Sequence, residues 1–171
     1  MFRDRTVLIA EIPHLRRFAY ALARDRERAD DLVQSCLERA VSKFGQWDSS
    51  RPLRPWLFAI LHNLYVDTVR SRSGDPGAEV PLSEAITVSA NEASQDQTLN
   101  AKQVLEAIDR LPAMYRDPLI LVGLNELSYA QAAAVLEISA GTLMSRLHRA
   151  REKLRETLSL ADRHPMIRRI K

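Results

Sequence analysis

The sequence predicts an all-α protein built from two small helical domains, and three observations carry that prediction. Aromatic residues make up 6% of the 171 and glycines number 5, too few for the strand faces and turns of a sandwich or barrel. Hydrophobic residues reach 46%, enough to fill cores. In two stretches they recur at three- and four-residue steps, the helical period, and between these lies a stretch with no period. That middle stretch, 73–100, is rich in Gly, Pro, Ser, Ala, Gln, Asn and acids and reads as a flexible acidic linker, since a loop of such length is uncommon inside one compact domain. The expected order is an N-terminal helical bundle over 1–72, the linker 73–100, a C-terminal four-helix domain with a helix-turn-helix over 101–160, and a basic tail over 161–171.

Pro13 suits the first turn of a helix running to about Ala23, with Leu15, Phe18, Ala19 and Leu22 on one face. The next helix has the most regular stripe of the chain: Ala29, Leu32, Val33, Cys36, Leu37, Ala40, Val41 and Phe44, followed by Gly45 as a left-handed stop. Cys36 lies inside that stripe and is expected to be core. A loop from Gly45 to Arg54 carries Trp47 and Asp48, and a third helix starts near Pro55 and runs through Leu57, Ile60, Leu61 and Leu64 to about Ser71. Asn100 is a plausible cap for a helix through Val104, Leu105 and Ile108 to Leu111. Pro112 opens another, offering Leu119, Ile120, Leu121 and Leu124 for burial, and Pro118 inside it should kink or divide it. Ser128 followed three residues later by Gln131 forms a capping box. It opens a short helix at about 129–136, whose small residues Ala130, Ala132, Ala133 and Ala134 let a neighbour approach closely. Ser139 then caps a longer helix striped by Leu143, Leu147, Ala150, Leu154 and Leu158. A capped helix, a tight turn and a longer helix with a basic outer face make a helix-turn-helix.

Charge distribution says more than the net value of +3. Residues 1–73 carry 13 basic and 9 acidic side chains, 74–100 carry none and 5, and 101–171 carry 12 and 8. Residues 139–171 alone hold 9 basic and 3 acidic groups, a local positive surface that a polyanion feels within ~10 Å. Enzyme chemistry finds no motif: there is no Gly-rich phosphate loop, no His-Glu-x-x-His, no Cys-x-x-Cys and no nucleophile elbow. His14, His62, His148 and His164 are scattered, so neither a metal nor a cofactor is expected. The single Cys36 excludes a disulfide framework. The apolar runs stop far short of the ~18 residues of a membrane span, and no secretory signal is visible, so a cytoplasmic location without membrane insertion is expected.

Thr142, Ser145, Arg146 and Arg149 fall off the apolar stripe of the last helix, where such a helix meets base edges in the major groove. Arg151, Lys153 and Arg155 extend the positive surface toward phosphates. Leu111-Pro112, Arg116, Ser128-Tyr129, Gly141 to Leu147, Arg149-Ala150-Arg151 and Leu154 resemble the minus-thirty-five-binding domain of extracytoplasmic-function (ECF) sigma factors. Arg28 to Gln34 with Leu37-Glu38-Arg39-Ala40 is similar to that family's core-polymerase-gripping region. Arg54 to Ile60, with His62-Asn63 and Asp67, resembles its segment that reads and melts the minus-ten element.

The resemblance implies that Asp30, Asp31, Leu32 and Gln34 lie near the β′ clamp helices of core RNA polymerase, with further contacts to β. Read without it, Asp30 and Asp31 are an acidic helix start favoured by the helix dipole. It also places the loop 45–54 at an extruded base, where Trp47 is either a stacking surface or a lid on the core, and Asn63 at the minus-ten bases. Thr142, Ser145, Arg146, Arg149 and Arg151 fall at the minus-thirty-five element. The linker would thread the polymerase RNA exit path, and an anti-sigma protein would be a partner beside promoter DNA.

Two departures from the family pattern stand out. Gln131-Ala132-Ala133 replaces the usual Glu-Ile-Ala, which the capping box tolerates, and Met144 occupies a position commonly Lys or Arg, removing a phosphate contact. The chain ends soon after this domain, so no C-terminal sensory domain is expected. Two rival functions remain at this point: a sigma mimic that sequesters an anti-sigma factor, and a plain helix-turn-helix regulator. The second leaves the Asp-Asp-Leu-Val-Gln and Trp-Leu-Phe segments unaccounted for.

Overall fold

The computed structural model describes the backbone of residues 2–73 and 103–163, with side chains over 6–71 and 103–159. The linker, the Asn100 cap and the tail beyond Arg163 lie outside the described residues. All regular structure described is helical: α1 (Phe2–Ala23), α2 (Arg26–Lys43), a 3-10 turn (Phe44–Gln46), α3 (Leu53–Ser73), α4 (103–109), α5 (Ala113–Leu119), a π turn (Ile120–Leu124), α6 (Tyr129–Val135) and α7 (Ala140–Arg163). None of the described helices is long and apolar enough to cross a membrane.

The first block is a three-helix bundle in which each of α1, α2 and α3 packs on the other two. Leu15, Phe18, Ala19 and Leu22 of α1 meet Leu57, Phe58 and Leu61 of α3 and Ala29, Val33, Cys36 and Ala40 of α2, all buried. At its centre the rings of Phe18 and Phe58 stack with centroids 4.8 Å apart. Cys36 is core as expected: its thiol donates to the Leu57 carbonyl at 3.5 Å, and burial pushes its pKa up to about 12.

Three expectations fail here for visible reasons. Pro13 is not in a first turn but eleven residues into α1, which begins at Phe2. Its ring faces outward, so the carbonyl it leaves without an N–H partner turns to water rather than to the core. Val41, on the predicted stripe of α2, is 58% exposed, and Leu37 is half-buried, because the stripe is wider than the surface the two partner helices cover. Gly45 is no left-handed stop. It lies in the 3-10 turn that tightens the end of α2, with the Trp47 amide donating to the Phe44 carbonyl at 3.1 Å. The start of α2 is fixed by Asp25, whose carboxylate accepts from the Arg28 amide at 2.8 Å.

The second block is shorter-limbed. Pro112 sits at the N-cap of α5, and Pro118 divides the following segment: α5 ends one residue later, and a π turn follows in which the Asn125 amide donates to the Ile120 carbonyl. Ile120 and Leu121 are buried, whereas Leu124 is 37% exposed because the wider turn rotates it outward. The capping box of Ser128 and Gln131 is present in both directions, at 3.2 and 2.9 Å. Ala132 and Ala133 of α6 are buried against α3 and α7, while Ala130 and Ala134 remain exposed. Ser139 caps α7 through the Thr142 amide at 3.1 Å, and Leu143, Leu147 and Ala150 seat that helix on α5 and α6. The two blocks also pack on each other, α3 against α6 and α1 against the π turn, so that their buried apolar side chains form one continuous cluster.

Candidate functional site

The basic face of α7 assembles as the sequence anticipates. Met144, Ser145 and Arg149 are exposed in its first turns, Arg146 and Thr142 half-exposed, and Arg151 exposed further along. The Ser139 and Thr142 hydroxyls share a hydrogen bond of 2.8 Å, and Ser145 donates to the Thr142 carbonyl at 2.9 Å, so these hydroxyls stiffen the helix start yet keep accepting capacity. The Arg151 guanidinium reaches the Tyr129 hydroxyl of α6 at 3.5 Å, bridging the two helices of the motif. Lys153 lies 5.9 Å from the centre of the Tyr115 ring, a cation–π contact that turns its stem back along the domain. Met144 is 51% exposed, an apolar tip among these polar groups.

On the first block, Asp30, Asp31 and Gln34 are exposed along α2. Asp30 pairs with Arg16 at 3.2 Å and Gln34 donates to Glu38 at 3.0 Å, both on the surface. Leu32 differs: it is buried in the bundle, so its side chain packs the core instead of facing a partner. Trp47 is half-buried against Phe44 and Trp56, with ring centroids 5.4 and 6.5 Å away, which makes it a lid over one end of the bundle. Its indole N–H is buried without an acceptor. In that loop Asp48 accepts from the Ser50 hydroxyl and amide at 2.7 and 3.0 Å, and these bonds, more than Arg51 nearby, hold its carboxyl below the ordinary range. At the loop's end, Arg54 pairs with Glu11 of α1 at 2.7 Å. Asn63 is exposed on α3, and its amide donates at 3.4 Å to Glu137, in the turn before α7.

That last contact belongs to a group of residues that sequence reasoning missed. Arg24, in the turn after α1, is buried and ion-paired with Asp109 at the end of α4. Arg116 is 2% exposed and bonds Asp117 at 3.2 Å, while Asp117 also bonds His62 of α3 at 3.2 Å. Tyr65 of α3 lies against Arg116, and burial pushes its phenol above the ordinary value. Burial likewise lowers Arg24 and raises Asp109, in each case outweighing the attraction between the two. Arg24 and Glu137 both have φ near +55°, a region that costs an L-residue about 1 kcal/mol or more and that glycine ordinarily fills. The one available signal was His62, a polar ring on α3 with no partner written nearby in the sequence. Its partner lies 55 residues away, beyond any local pattern. No group of three or more metal-ligating side chains gathers among the described residues.

Residues 8–62 match a family model described as the Sigma2 domain of PhyR, and residues 101–154 match that of sigma-70, region 4. PhyR is itself described as an anti-anti-sigma factor. The chain is 38% identical over 150 residues to the ECF RNA polymerase sigma factor EcfG of Rhodopseudomonas palustris, across 88% of this chain and 82% of that protein. Identity to the ECF sigma factor SigM of Bacillus subtilis is 31%, across 81% and 85% of the two. Among solved structures, the sigma factor RpoE of Bartonella quintana, in complex with the anti-sigma factor NepR, has a TM-score of 0.74 at 29% identity, covering 93% of this chain and 98% of that one.

Proposed function

Because the chain belongs to the extracytoplasmic-function sigma factors of RNA polymerase, we infer that it binds core polymerase, directs it to promoters to begin transcription, and is held in check by an anti-sigma protein. It is not an enzyme; phosphodiester synthesis belongs to the polymerase. The observation that carries the reading at the level of residues is the α6–α7 pair. Its capping box and capped turn fix the start of α7, and the helix presents exposed Ser145, Arg149 and Arg151, the groups a helix in the major groove uses. Thr142, Ser145, Arg146, Arg149 and Arg151 are our assignment for the minus-thirty-five element.

For core polymerase we assign Asp30, Asp31 and Gln34, exposed on α2, with Leu32 holding that face from beneath. For the minus-ten strand we assign Asn63, whose amide pairs with a base edge through both donor and acceptor, and half-buried Trp47. Contacts to unpaired bases offset the unstacking that opening requires, with stacking contributing about 1–3 kcal/mol per base. Co-elution of the purified chain with core RNA polymerase at moderate salt tests this, with the Asp31→Ala/Gln34→Ala double variant alongside. Stable co-elution that the variant weakens is the expected result.

The match of residues 8–62 to a domain of an anti-anti-sigma factor favours one second reading, a sigma mimic that occupies the anti-sigma protein. Such a mimic would bind the inhibitor and leave core polymerase alone, so the same co-elution separates the two.

A further inference from the structure

Among the described residues, the buried charged side chains gather where the two blocks meet. Arg24 comes from the turn after α1, His62 and Tyr65 from α3, Asp109 from α4, and Arg116 and Asp117 from α5. We propose that this cluster is an intramolecular lock: it holds α6 and the Glu137 turn against the base-reading edge of α3, and the chain has to open before Asn63 meets promoter DNA. The lock rests on the sigma-factor reading for what Asn63 does, but its existence is read from the packing alone.

Three features support a contact made to open. The first is its chemistry. Two guanidinium and two carboxylate groups balance in charge, yet the Arg24 Nε and an Arg116 amino group have no acceptor. Desolvation outweighs pairing at both Arg24 and Asp109. A buried ion cluster of this kind gives an interface register more than strength, and apolar residues of the same volume would hold it at least as firmly.

The second is its backbone. Among the described residues, two of the three non-glycine residues at positive φ, Arg24 and Glu137, are interface residues. Glycine would fit either backbone with less strain and would lose the side chain that crosses to the other block. The third is the contact at the DNA edge. The Glu137 carboxylate takes the Asn63 amide hydrogen at 3.4 Å and sets a negative charge where a base or phosphate would approach, so closure and DNA contact compete for the same donor.

The test uses the full chain and small-angle X-ray scattering, which needs neither polymerase nor DNA. The wild type is expected near the ~16 Å radius of gyration of a compact chain of this length. Asp109→Leu strands Arg24 as an unpaired buried charge and should raise the radius with helicity unchanged. The paired variant Arg24→Met/Asp109→Leu removes both charges and should stay compact. If one molecule in ten of the wild type is open, Asp109→Leu should capture a single-stranded minus-ten oligonucleotide, together with core polymerase, about tenfold more tightly.

A single variant as compact as wild type, or a pair that opens as far as the single, overturns the lock. Opening without any gain in strand capture overturns the claim that closure hides Asn63. Failure of the wild type to bind polymerase would instead count against the sigma reading, and the scattering would still report on the lock. Glu137→Gly, which relieves backbone strain while deleting the contact to Asn63, should also raise strand capture; an unchanged capture would count against the proposal.

Discussion

The two blocks solve the problem of burying a core in opposite ways. In the first, three long helices close over apolar side chains, with the Phe18–Phe58 stack at the centre. In the second, a proline and a π turn break the chain into short pieces, and Arg116, Asp117 and Asn125 are buried beside Ile120 and Leu121. Asn125 repairs part of that cost by donating from its side chain to the Ile120 carbonyl at 3.1 Å. Long amphipathic helices give a unit whose shape depends on itself. Short helices with buried charge give one whose shape depends on caps and on a neighbour. If the first block carries the polymerase contacts proposed above, the difference assigns rigidity to that grip.

The comparison breaks first where the apolar core is cut. Phe58→Ala should destabilise the first block by about 3–5 kcal/mol, read as a lowered denaturation midpoint, because the Phe18 ring loses its partner in a site that cannot collapse. In the second block, Arg149→Ala leaves the fold alone and should cost about 1–3 kcal/mol of binding to a minus-thirty-five duplex, measured by fluorescence anisotropy. Ser128→Ala tests the dependence on caps: the Gln131 amide loses its acceptor, and the block should lose about 1 kcal/mol, whereas no equally local polar change on the outer face of α1 should be felt. The smallest effect sharpens the DNA side. Met144→Lys should steepen the salt dependence of duplex binding by about one counterion without altering stability, since the position is exposed.

The parts of this molecule legible in the sequence are those written locally. The helical period marked α2, α3 and α7, and the Ser128/Gln131 and Ser139 caps fixed the helix-turn-helix to the residue. Where period alone was used to extend the reading, it overreached. Val41 continues the stripe of α2 but meets no helix, and Gly45 stops that helix in a 3-10 turn because the following Trp47 is drawn back over Phe44. Proline misled in one place and informed in another: Pro13 is tolerated mid-helix because its face is solvent, while Pro118 is followed by the predicted break.

The interface cluster was beyond reach for a different reason. Arg24 reads as one charge among three at Arg24-Asp25-Arg26, and only the docking of the second block makes it buried. Of the candidate binding residues, the exposed ones lie where their helical phase puts them. Leu32 was separable from Asp31 only by the same phase, which places it on the inner stripe.

The two tryptophans of the chain, Trp47 and Trp56, stand 6.5 Å apart at one end of the first block, and the second block has none. All indole emission therefore originates beside the loop assigned to the minus-ten strand, within quenching range of any base stacked there. The protein carries its own optical reporter: emission should follow strand capture and melting of the bundle, while unfolding confined to α5–α7 passes dark and is seen only as lost ellipticity.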